Sequence, residues 1–241
     1  MIDEQEKDAC VHGLPRLIGA PGSLWSIQGF VEPENYVDRM RASPERAREF
    51  TRMLFEVHQN LANQVAELLD LTGFEHMMDL GGNSGVISMA LLQKYPALKS
   101  TIVDIENVCA AGREIVAEQG FSDRITYFPA EFVDDEFPSG FDLVLQCDVA
   151  VYGDDLLKKL NQSLKPGGQL IFIDHFSPAE NLAPPTRIEW TFLDSLHDPD
   201  FRFPTIDEFK HQLVKAGFEV SHEHQTLGKG MVVLQAWKRD V

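Results

Sequence analysis

Apolar positions recur at intervals of three and four through the first third of the chain, then change to short unbroken runs separated by glycine-rich or proline-rich turns. Ser43 and Pro44 read as an N-cap and first-turn pair, after which Ala47, Phe50, Leu54, Val57, Leu61, Val65 and Leu68 form one stripe up to Asp70. The spacing predicts one long amphipathic helix. Before it, Gly13, Pro15, Gly19, Pro21 and Gly22 punctuate a loop-rich stretch that carries Trp25, Phe30, Tyr36 and Met40. From His76 onward the pattern becomes strand, turn, helix, repeated. Met77 to Leu80 reads as a strand that enters Gly81-Gly82-Asn83-Ser84-Gly85, and Val86, Ile87, Ala90 and Leu91 mark the face of the helix after it. Thr101 to Asp104 and Arg124 to Phe128 read as strands around a helix from Val108 to Gln119, which Gly120 stops. Phe141 to Leu145, a helix from Leu156 to Leu164, and Gln169 to Ile173 after Pro166-Gly167-Gly168 continue the series. Thr205 and Glu208 form a capping box for a helix with Ile206, Phe209, Leu213 and Ala216 on one side, closed by Gly217.

Two strands end the chain with no helix between them, Phe218 to His222 and Met231 to Trp237, linked through Gly228-Lys229-Gly230. The expected fold is therefore α/β: a Rossmann-like, seven-stranded, mostly parallel sheet with one antiparallel strand, helices on both faces, and an N-terminal helical cover. The boundary falls at Gly73, giving a helical cap over residues 1–72 and the α/β domain over residues 73–241.

Composition narrows the function. In 241 residues, 21 Lys and Arg stand against 38 Asp and Glu, a net charge of −17 that repels polyanions and sets nucleic acid aside as a partner. Cys10, Cys109 and Cys147 form neither a disulfide framework nor a C-x-x-C pair. The acidic start has no apolar signal region and no run is long enough to cross a membrane, so a cytoplasmic protein is expected.

The glycine-rich turn places bare backbone at the carboxyl end of the first strand. A dinucleotide fingerprint would need glycine where Asn83 and Val86 stand, so a diphosphate ligand is poorly supported. The acids fit a nucleoside instead. Asp79 lies in the first strand, Asp104 ends the second where a carboxylate can accept ribose hydroxyls, and Glu131 with Phe132 comes after the third.

Met78-Asp79-Leu80-Gly81-Gly82-Asn83-Ser84-Gly85, Asp104, Ala130-Glu131-Phe132 and Leu164-Lys165-Pro166-Gly167-Gly168 together resemble the motifs of class I S-adenosylmethionine-dependent methyltransferases, over about Phe74 to Lys238. More narrowly, they are similar to the small-molecule O-methyltransferases related to the caffeate and acetylserotonin enzymes. The resemblance implies an S-adenosyl-L-methionine cofactor whose amino-acid end lies against Gly81, Gly82 and Gly85 beside Asp79, whose ribose meets Asp104 and Ile105, whose adenine lies by Glu131 and Phe132, and whose sulfur approaches Cys147. It implies a small acceptor, aromatic or apolar, methylated at oxygen, and a homodimer is the assembly expected. Two departures stand out. Val151-Tyr152-Gly153 occupies the place of the family's His-Asp-Trp, and the roughly seventy residues before Gly73 leave no room for the family's N-terminal dimerisation domain. His58, Asp148 and His175 are the replacement bases put forward, with Asp174 and His197 also in range; each reads equally as a substrate contact or a structural residue.

The missing histidine motivates a rival, a catalytically silent subunit that binds the cofactor or its demethylated product for regulation or assembly. A nucleotide-dependent oxidoreductase shares only the architecture. No metal is expected, since His222-Glu223-His224 lacks a third ligand. Trp190, Phe192, Phe201 and Phe203 read as either the wall of an acceptor pocket or ordinary core.

Overall fold

The computed structural model describes residues 36–179, 183, 184, 187, 188, 191, 202–221 and 225–239. Trp25, Phe30, Cys10, Trp190, Phe192, His197, Phe201 and the His222 to His224 run lie outside these residues.

The apolar runs form strands β1 (His76–Leu80), β2 (Lys99–Asp104), β3 (Ile125–Pro129), β4 (Phe141–Cys147), β5 (Leu164–Asp174), β6 (Phe218–Val220), β7 (Gln225–Leu227) and β8 (Met231–Lys238). The order across the sheet is β3-β2-β1-β4-β5-β8-β6, with β7 also on β8. The first five run parallel, and β8 is antiparallel to β5, β6 and β7. This corrects the expected strand count from seven to eight. The additional strand is the three-residue β7, whose Gln-Thr-Leu sequence is too short and too polar to show a strand period, and which the Gly228–Gly230 turn folds onto β8.

Helices α1 (Tyr36–Ala42), α2 (Pro44–Val57) and α3 (Gln59–Leu68) precede the sheet. The others are α4 (Val86–Lys94), α5 (Glu106–Glu118), α6 (Asp154–Ser163) and α7 (Ile206–Lys215). The single long helix expected over residues 43–70 is two. His58 separates them, and the Phe55 carbonyl accepts the Gln59 side-chain amide at 3.0 Å, a side chain entering the helical ladder.

Alternation along β1 sends Met77 to one face of the sheet, where α3 and α4 pack, and Met78 and Leu80 to the other, against α6 and α7. A third, smaller cluster joins the cover to the sheet. Met40 of α1 and Ala47 of α2 pack on Ile105 and Val108, fastening the N-terminal helices over the carboxyl end of β2. The bidentate pair Arg52–Glu118 and the Arg48–Glu114 pair hold α2 along α5 from outside. Such exposed pairs contribute little individually, so the apolar contact sets the position.

Candidate active site

Beyond Leu80 the chain must leave the sheet and turn into α4 within five residues. It does so with positive φ at Gly81, Asn83 and Gly85. The loop is held from below by its own backbone: the Gly81 N–H donates to the Val103 carbonyl at 2.8 Å and the Gly85 N–H to the Gly82 carbonyl at 2.8 Å. A Cβ at position 82 would lie 2.6 Å from the Asp79 carboxyl carbon, so glycine there makes room for a buried acid. From the side, the Tyr127 hydroxyl donates to the Asn83 carbonyl at 3.0 Å. That approach requires Gly112, whose absent Cβ would stand 2.3 Å from the Tyr127 oxygen.

Two acids border the loop. Asp79 is 1% exposed and accepts the Ser88 hydroxyl at 2.6 Å, and Ser88 is linked in turn to Ser100 at 2.8 Å. Asp104 is 6% exposed; its Oδ2 accepts the Asn83 N–H at 3.1 Å and its Oδ1 the Ile105 N–H at 2.8 Å. Burial pushes each up to about 7, against the hydrogen bonds that favour the ionised form. Among the described residues neither acid has an ion-pair partner. Two acids without a cation repel a diphosphate and suit a positively charged ligand, so the donor set fits a sulfonium nucleoside.

Of the expected adenine pair, Phe132 is half-buried and meets Phe137 edge-on at 6.2 Å, while Glu131 lies at the rim and pairs with Arg41 of α1. Ile105 lies beneath Asp104 in the cluster that carries α1. Cys147 is buried, and desolvation together with Asp148, Asp79 and Asp174 holds its thiol well above the ordinary range, so it stays neutral.

The ends of β4 and β5 carry a second polar group. Asp148 and Ala150 have φ of 55° and 57°, unusual for residues with a side chain. Asp174 holds this bend: it is fully buried and accepts the Ala150 and His175 N–H groups, each at 2.8 Å. Burial raises it to about 6 despite those bonds. The bend turns Asp148 toward the cover, where His58 Nε2 lies 3.6 Å from its Oδ2 and Arg187 pairs with its Oδ1. The break between α2 and α3 thus falls at the residue that meets Asp148.

The structure therefore brings His58 and Asp148 together. His175 is placed differently: it is 4% exposed, and its backbone serves Asp174 and accepts the Tyr152 hydroxyl at 3.0 Å. Val151 is an apolar contact whose carbonyl takes the Gln146 amide at 2.8 Å. Tyr152 is core, with Phe172, Phe176, Phe203 and Phe209 around it at centroid distances of 5.6, 6.2, 6.1 and 5.7 Å. Phe203 accordingly belongs to the core rather than to a pocket wall. Sequence reasoning missed Arg187, an isolated basic residue without periodic context, and Tyr127, whose role depends on a glycine in the preceding helix α5.

A family model described as an O-methyltransferase domain matches residues 33–219. An L-tyrosine C(3)-methyltransferase of Streptomyces lavendulae is 30% identical over 187 residues, which cover 75% of this chain and 51% of that protein. A mitomycin biosynthesis 6-O-methyltransferase of the same organism is 31% identical over 136 residues, covering 54% of this chain and 39% of that protein. The chain thus spans about half the length of these curated relatives, or less. Among solved structures, the mitomycin 7-O-methyltransferase MmcR superimposes with a TM-score of 0.79 at 21% identity, over 98% of this chain and 69% of that one. Human N-acetylserotonin methyltransferase, solved with S-adenosylmethionine, gives 0.75 at 22% identity, over 96% and 67%. At these identities the structural likeness shows the fold.

Proposed function

The chain belongs to the O-methyltransferase domain family, and from that premise we propose that it transfers the methyl group of S-adenosylmethionine to a small aromatic or apolar acceptor, at oxygen. The observation that carries this is the pair of buried acids Asp79 and Asp104, without a cationic partner among the described residues, beside the left-handed loop at residues 81–85. S-adenosylmethionine supplies the electrophilic methyl group. Asp104 holds the ribose and Asp79 lends negative charge to the amino-acid end, with Gly81, Gly82 and Gly85 providing close backbone approach. Glu131 and Phe132 border the adenine, and Cys147 forms an uncharged wall.

On the acceptor side, His58 removes the hydroxyl proton and Asp148 orients its imidazole through Nε2. Arg187 keeps Asp148 in place, and Asp174 fixes the bend that presents it. Much of the acceleration comes from holding the acceptor oxygen in line with the methyl group, for which α1 to α3 form the cover and exclude water. On this reading residues 1–72 are a helical cap and 73–241 the cofactor-binding domain. Its location in the cytoplasm rests on the cysteine usage, and self-association into a homodimer is part of the same proposal.

The L-tyrosine and mitomycin relatives are both methyltransferases, which favours catalysis over a silent binding subunit. The C(3)-methyltransferase also motivates a second acceptor atom: removing a phenolic proton makes the neighbouring ring carbon nucleophilic as well as the oxygen, so the same base serves both. Transfer of labelled methyl from S-adenosylmethionine to a panel of phenols and hydroxylated polycycles, with product mapping, tests the proposal. Label on a phenolic oxygen is expected; cofactor binding with no labelled product across the panel overturns the catalytic reading.

A further inference from the structure

Position 83, where a glycine-rich nucleotide loop ordinarily needs no side chain, carries an asparagine. Its backbone is fully used: the N–H donates to Asp104 Oδ2 at 3.1 Å and the carbonyl accepts Tyr127 at 3.0 Å. Its φ of 47° is one that asparagine tolerates better than most residues. None of this requires the carboxamide. The residue is 8% exposed, and its Oδ1 is buried with no hydrogen-bond partner among the described residues. A buried acceptor left unsatisfied is costly enough that native interiors rarely keep one.

The carboxamide also has a direction. Its Nδ2 lies 3.5 Å from the Tyr36 hydroxyl, and that hydroxyl feels the Asp104 carboxylate closely enough that the charge adds to burial in pushing it up. With its own N–H bonded to Asp104 Oδ2, the residue stands beside the acid that meets the ribose in the reading above. Oδ1 can only accept, so what it lacks is a donor. Asp104 has both carboxylate oxygens occupied once by N–H groups, and each keeps a further lone pair. A vicinal diol supplies two O–H donors to such a cluster.

We propose that Asn83 is a cofactor-binding residue whose side-chain carbonyl accepts a ribose hydroxyl of the nucleoside, sharing the diol with Asp104. The inference deepens the methyltransferase reading and rests on it. Tyr127 and Gly112 then serve as positioning residues, setting the loop so that the carboxamide faces the sugar.

The test is a binding cycle on the full chain with S-adenosylhomocysteine and its 2′-deoxy and 3′-deoxy analogues as probes, against wild type and Asn83→Gly. Glycine keeps the φ, the N–H and the carbonyl, so the loop and the fold are preserved; a matching urea midpoint and Tyr127 environment check this. The expected result is roughly a five- to tenfold loss of S-adenosylhomocysteine affinity in Asn83→Gly, the size of one neutral hydrogen bond. One of the two deoxy analogues should lose about as much in wild type and less than twofold further in the variant. If the variant binds S-adenosylhomocysteine as wild type does, or if both deoxy analogues lose affinity equally in the two proteins, the role of Asn83 is overturned while the methyltransferase reading survives. Failure of wild type to bind S-adenosylhomocysteine at all overturns both.

Discussion

His58 Nε2 lies 3.6 Å from Asp148 Oδ2, although the two residues are ninety positions apart and belong to different layers. Neither geometry at this contact is the default one. His58 interrupts what the apolar stripe writes as a continuous helix, and Asp148 adopts a left-handed φ. Departures from regular backbone that converge on one contact are what the proposed role of this pair in catalysis rests on.

His58→Gln should lower turnover on a phenolic acceptor by roughly a hundredfold or more, the usual contribution of a positioned base. Affinity for S-adenosylmethionine should stay within about twofold, because the imidazole acts on the acceptor side. Raising the pH toward the acceptor's own ionisation, near about 10 for a simple phenol, should restore much of the rate. Steady-state kinetics on both proteins across this range check the assignment; equal rates at neutral pH count against His58.

Asp79 and Asp104, each pushed up to about 7, are partly protonated in the free protein near neutrality. A sulfonium cation favours their ionised forms, lowers both values and displaces protons on binding. Affinity for S-adenosylmethionine should therefore rise as pH increases from about 5.5 to 8, by at most tenfold per unit for each group. S-adenosylhomocysteine, whose sulfur is neutral, should show a shallower slope. Calorimetric titration at several pH values reads both slopes; equal slopes would mean that the sulfonium charge does not act on these acids.

The same raised values fix the sign of a stability effect. A carboxylate whose folded value lies above its unfolded value of about 3.9 destabilises the fold as it ionises, so its contribution falls as pH rises from about 4 toward 7. Asp104→Asn abolishes that part of the decline. The urea midpoint of the variant relative to wild type should accordingly rise between pH 5 and pH 8 in the absence of ligand.

Gly112→Ala places a Cβ 2.3 Å from the Tyr127 oxygen and 2.6 Å from the Asn83 carbonyl oxygen, one of them backbone. The expected cost is about 1–3 kcal/mol of stability, with weaker cofactor binding because the loop shifts. Tyr127→Phe removes only the hydrogen bond and should cost about 1 kcal/mol. Urea unfolding of the two variants separates overpacking from the lost bond.

Beside Ser177, just beyond the carboxyl end of β5, Thr205→Ala opens the capping box of α7, in which the Thr205 side chain accepts the Glu208 N–H at 3.2 Å and the Glu208 carboxylate accepts the Thr205 N–H at 2.8 Å. A loss of about 1 kcal/mol is expected. For a chain of this size that corresponds to a melting temperature lower by about 2–4 °C, with turnover unchanged.

Local signals made much of this legible in advance. The alternation of apolar runs with helical stripes placed β1 to β5 and the helices between them, because buried parallel strands are nearly all apolar and short. The capping box at Thr205 and the glycine run after Leu80 depend on contacts within a few residues, and both appear where their spacing puts them. What escaped depends on distant partners. The break at His58 has no glycine or proline to announce it, and β7 has three residues and exists only through its pairing with β8. The buried acids Asp79 and Asp104 could be placed from the strand pattern, but the contact between His58 and Asp148 is set by how the cover sits on the sheet, and one stretch of sequence does not write that.

Isothermal titration of the purified protein with S-adenosylmethionine measures the central interaction directly. Saturable binding in the micromolar range is predicted, weakened at least about tenfold by Asp104→Asn, with no heat from NAD. Absence of binding at millimolar S-adenosylmethionine, or saturable binding of NAD in the same crevice, would contradict it.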